Sequence, residues 1–72
     1  MFEPSDALRS LSEAGRRRLL EIAKAEKALP WKPVDDRLQA LRLVTRMAGV
    51  LNEPLADISA NGWAVVRLMA RQ

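Results

Sequence analysis

The sequence predicts an all-α domain, a small bundle of three or four helices spanning about 5–13, 16–29, 34–51 and 62–71 around a central helix. Two observations lead there. Leu38, Ala40, Leu41, Leu43, Val44, Met47, Ala48, Val50 and Leu51 cover most of a helical wheel over Val34–Leu51, leaving Gln39, Arg42, Arg46 and Gly49 as one polar stripe. A helix apolar on most sides needs neighbours on more than one face. Secondly, the segments on either side, 16–29 and 63–71, each carry an apolar half at helical spacing, and no convincing strand pattern accompanies them.

In chain order, Met1–Pro4 reads as a loose lead-in, and residues 71–72 as a frayed end of a single helical domain over 1–72. Ser5 and Asp6 suit a helix start, with Leu8 and Leu11 facing the core. Ser12 reads either as interior helix or as the cap of a new one; Gly15 costs about 1 kcal/mol relative to Ala within a helix, so a break or kink is expected nearby. A short first helix and a longer second one follow from that. Over 16–29, Leu19, Ile22, Ala23, Ala25 and Leu29 share one side, and Arg16, Arg17, Lys24 and Lys27 another. Arg18 turns toward the apolar half, where it pairs with an acidic residue or extends its charge out to solvent.

Pro30-Trp31-Lys32-Pro33 is a stiff connection, because each proline fixes its own φ and biases its predecessor toward extended geometry. Asp35 and Asp36 then suit the positive end of the central helix. Asn52-Glu53-Pro54 closes that helix or caps a following turn, Leu55–Ile58 reads as one helical turn, and Ser59–Gly62 as a turn. Trp63, Val65, Val66, Leu68, Met69 and Ala70 form the last apolar face, with Trp63 in the core and Met47 and Met69 as core filler.

Composition narrows function by exclusion. The 72 residues contain no Cys and no His, so the common general base, nucleophile–base pairs and structural zinc ligands are missing. Gly15, Gly49 and Gly62 are too dispersed for a phosphate-cradling loop. The expectation is no enzyme, no catalytic or metal site, no cofactor and no small-molecule substrate. The acidic N-terminus lacks signal-peptide character and no apolar run could span a bilayer, which predicts a cytoplasmic protein without membrane contact. Nine Arg, three Lys and nine carboxylates give a net charge of +3, below that of a dedicated nucleic-acid binder.

The leading expectation is a small regulatory protein of bacterial or phage type that binds a larger host protein, such as transcription machinery. Across Arg16–Lys32, six basic residues face two acidic ones. The candidate surface is Arg16, Arg17, Lys24, Lys27, Trp31 and Lys32, complementary to an acidic patch on the partner. The bland alternative is a solvated helix face, with Trp31 closing one end of the core. A different class is a DNA-binding transcription regulator with a degenerate helix-turn-helix over 52–71, presenting Arg67 and Arg71. A third is a homo-oligomerising module, probed by dimer formation, with the spare apolar face of the central helix as its interface.

Overall fold

A computed structural model describes residues 1–71; the expected fraying of Gln72 lies outside the described residues. The chain runs α1 (Pro4–Arg9), α2 (Glu13–Ala25), β1 (Leu29–Pro30), α3 (Val34–Ala40), β2 (Val44–Ala48), β3 (Pro54–Ile58), α4 (Ala60–Ala70). The three strands form an antiparallel sheet in the order β1-β3-β2. This is a mixed α/β fold, and the all-α bundle expected from periodicity is incorrect.

The error lies in the proposed central helix, 34–51. Its first half is α3, which stops at Ala40 with Leu41 as C-cap. Arg42 then takes φ 64°, a left-handed conformation that turns the chain and is uncommon outside glycine and asparagine. Beyond it, β-branched Val44 and Thr45 enter a strand. The next reversal is a hairpin: the Gly49 N–H donates to Glu53 O (2.8 Å) and the Asn52 N–H to Gly49 O (2.9 Å). Asn52 has φ 61°, matching the left-handed third position of a three-residue hairpin loop. Leu55–Ile58, expected as a helical turn, is most of β3.

The helices flanking the sheet follow more of the expected pattern. α1 and α2 are separate, with Ser12 as N-cap accepting from the Gly15 N–H at 3.1 Å. Glu26, at φ 56°, ends α2 four residues before Pro30, leaving room for β1. Ser59 caps α4 by accepting from the Gly62 N–H (3.0 Å), so the expected Ser59–Gly62 turn is the helix start. Its hydroxyl donates to Arg42 O (2.8 Å), and its N–H to Leu43 O (3.0 Å). A Cβ on Gly62 would overlap the Leu43 carbonyl, so glycine permits this close docking of α4 on the turn before β2.

Leu8, Leu11, Leu19, Ile22, Leu38, Leu43, Val44, Ala56 and Val65 form the core. α2 packs on α3, α4 and β3, while α1 packs on α4. Val44 and Ala56 lie on the core face of the sheet. On the opposite face Thr45, Met47, Leu55 and Asp57 are not buried. Trp63 (41% exposed) and Met47 (43%) are therefore not the core residues the sequence implied.

Candidate functional site

The prolines around Trp31 act as expected, but their product is a strand end. The Trp31 N–H donates to Pro54 O at 3.0 Å, extending the β1–β3 pairing by one bond. Its side chain is half-buried, and Nε1–H donates to Asp36 Oδ1 of α3 at 2.9 Å. The Arg46 guanidinium of β2 lies 5.1 Å from the ring centroid, within cation–π range. β2, β1 and α3 thus converge on one aromatic platform carrying an exposed positive charge. Arg46 makes no ion pair with a carboxylate among the described residues.

A second polar cluster ties down the backbone on either side of Trp31. Arg18 is buried and forms a bidentate pair with buried Asp35, Nε to Oδ1 and Nη2 to Oδ2, both 2.9 Å. Arg18 also donates to Glu21 Oε1 (2.7 Å) and Pro30 O (2.8 Å). Asp35 Oδ2 accepts from the Lys32 N–H at 2.9 Å. One arginine therefore links α2, the strand before Trp31 and the start of α3. Its hydrogen bond to Asp35 is the largest influence raising the guanidinium pKa, against the opposing effect of desolvation. The same guanidinium is the main cause of a lowered Glu21 pKa, with the Lys32 charge second.

The six residues expected to make one basic surface are distributed around this cluster. Arg17 and Lys32 line one open groove with Ala14, Arg18, Glu21 and Val34. Arg17 is partly neutralised there by Glu13, 2.6 Å away. Lys24 is exposed on α2. Lys27 lies beyond the helix in a different depression, with Glu26, Asp57 and Trp63. Arg16 is half-buried and donates to Leu8 O at 3.3 Å, near the end of α1. The surface is thus not one stripe along a helix.

Arg67 and Arg71 are exposed at the end of α4. The helix-turn-helix expected over 52–71 is absent because its first half is β3. The residues that sequence reasoning missed belong to the hairpin: Arg46 on β2 and Val50 (100% exposed) at its tip; Met47 and Leu51 (87%), expected on the spare apolar face of a central helix, are exposed on the same hairpin. Among the described residues, no three carboxylates converge to hold an ion, and no helix is long and apolar enough to cross a membrane. Comparison with protein-family models, curated proteins and solved structures finds no match.

Proposed function

We propose that this chain is a small, non-enzymatic regulatory protein that acts by binding a larger protein with an acidic patch. The contact surface is centred on Trp31 and Arg46, with Lys32 and Arg17 on one flank and the hairpin on the other. The observation that carries this reading is the guanidinium of Arg46 held over a half-buried tryptophan with no carboxylate partner. Tryptophan and arginine dominate binding hot spots, and a side chain already held against a ring loses less entropy on binding. The exposed apolar residues Val50 and Leu51 at the hairpin tip add contact area beyond the end of β2. The proposed compartment is the cytoplasm, in keeping with a cysteine-free composition.

The test is capture from a lysate of the source cells, with and without nuclease, using the wild type and a folded Trp31→Ala, Arg46→Glu variant. A protein retained after nuclease treatment and lost with the variant is the expected result. Undiminished capture by the variant would remove this surface from consideration.

DNA contact is a second reading, supported by Arg37, Arg42 and Arg46. All three are exposed on α3, the following turn and β2, and none forms an ion pair with a carboxylate among the described residues. It requires nuclease-sensitive capture and an affinity that falls with salt, by a logarithmic slope of about one per phosphate neutralised.

A further inference from the structure

β2 is an edge strand, and its backbone pairing identifies which groups face the open side. The Ser59 N–H donates to Leu43 O (3.0 Å) and the Gly49 N–H to Glu53 O (2.8 Å). Between these bonds, Thr45 is opposite Asp57 and Met47 opposite Leu55. Antiparallel pairing alternates, so Thr45 and Met47 direct their backbone groups to β3, while Val44, Arg46 and Ala48 direct theirs to the other edge. Arg46 and Ala48 are exposed, and among the described residues no hydrogen bond from outside the sheet reaches their backbone. The opposite edge of the sheet is unlike this. β1 has only two residues, and Pro30 has no N–H to offer.

We propose that the open edge of β2 binds an extended acidic segment of the partner protein by strand addition, an inference that rests on the protein-binding reading above. The incoming residue opposite Arg46 forms a hydrogen-bonded pair with it, placing its side chain on the same face as the guanidinium and Trp31. Charge complementarity selects Asp or Glu there, since Arg46 has no carboxylate of its own. The incoming residues on either side point to the other face, beside Thr45 and Met47, and are aliphatic. The recognised pattern is apolar–acidic–apolar. A second copy of this chain is disfavoured in the fully overlapped antiparallel register, where Arg46 would oppose Arg46. The charge that guards the edge against self-pairing also selects an acidic strand.

The test begins with selection of a displayed random decapeptide library on the immobilised full chain. Amide exchange of isotope-labelled protein is then measured with an enriched synthetic peptide. The expected peptides place an acidic residue between aliphatic ones. They slow exchange at the Arg46 and Ala48 N–H by at least about tenfold, as loss of a bound state's hydrogen bond implies, and leave Thr45 and Met47 unchanged. Ala48→Pro removes one edge donor without touching the ladder to β3, and weakens peptide binding about tenfold. Arg46→Glu selects peptides with Lys or Arg at the central position.

Failure to enrich any peptide overturns the proposal, as does enrichment without an acidic centre or without protection at Arg46 and Ala48. Protection that grows with protein concentration alone assigns the edge to a second copy. Protection given by duplex DNA that displaces the peptide assigns it to nucleic acid. Should Ala48→Pro fail to fold, the exchange pattern in the wild type decides alone. Cellular capture that survives Ala48→Pro yet is lost with Arg46→Glu overturns strand addition and leaves the protein-binding surface standing.

Discussion

Breaking the buried Arg18–Asp35 pair by removing one partner can cost nearly the whole stability of a domain this small, because the other charge is left buried and unpaired. Removing one partner of a buried ion pair costs about 3–5 kcal/mol. A core of this size supplies about 3–5 kcal/mol net. Arg18→Met alone is therefore expected to leave the chain largely unfolded in a urea titration followed by circular dichroism. The double replacement Arg18→Met, Asp35→Leu should recover much of the loss, since no unpaired charge remains buried. Glu21 adds a pH dependence of definite sign. Its carboxyl is lowered below its ordinary value of 4.5 by Arg18, so its stabilisation is complete above that value and is lost as pH falls through the lowered one. The gap in melting temperature between wild type and Glu21→Gln should therefore narrow on acidification below that range. Raised basicity at Arg18 acts at the other extreme, being lost only as pH rises through its raised value. In sequence, Arg18 was legible as the arginine turned toward apolar residues, because its helical spacing alone places it there. Its partner was not: Asp35 and Asp36 both satisfy the rule for a helix start, and only the tertiary approach of α2 to α3 distinguishes them.

At the level of the elements, both hairpin and helix docking depend on special backbone positions. Asn52→Ala should cost about 1–2 kcal/mol, because alanine is strained in the left-handed region, while Asn52→Gly should be close to neutral. Gly62→Ala should destabilise by about 1–3 kcal/mol, as overpacking against the Leu43 carbonyl forces α4 away from the turn. Thermal melts of the three variants check both expectations; an unperturbed Gly62→Ala would mean that α4 is free to shift. A break between two helices was legible from Gly15, but the cap itself was not: the expected spans 5–13 and 16–29 place Ser12 inside the first helix, whereas it caps the second. β2 and β3 were not legible either. Over 41–51 the apolar residues are dense enough to fill either a helix or a strand pattern, and the count of apolar positions favoured the helix. The opposing local signals were Val44-Thr45, Gly49 and Asn52, the last at the one hairpin position where asparagine is favoured.

Across the whole molecule, the apolar surplus that suggested a buried central helix has a different destination. Some of it enters the core through Leu38, Leu43 and Val44, and the remainder is displayed by Met47, Val50 and Leu51. Replacing Val50 and Leu51 by serine should change stability by less than about 0.5 kcal/mol, because neither side chain packs. The same double variant should weaken partner capture if the hairpin tip is in the contact; an equal signal would confine the contact to Trp31 and β2. The basic surface is similarly redistributed. Arg16, Arg17, Lys24 and Lys27 looked contiguous because a single helix would align them, yet α2 ends before Lys27 and Arg16 is engaged by α1. Trp31 lies at the end of β1, with Arg46 of β2 over its ring.

The sequence by itself determined the local rules: where proline stiffens the chain, which face of α2 is apolar, and which catalytic side chains are missing from the composition. Those properties depend on covalent geometry and on residues within a turn or two of one another. Only the tertiary structure decided that 44–48 and 54–58 are strands, that Arg18 meets Asp35, and that Arg46 rests on Trp31. Each of those joins residues distant in the chain, and a strand's partner contributes half of its hydrogen bonding. Short-range periodicity carries no information about that half, so the edge of β2 became visible only when β3 was in place.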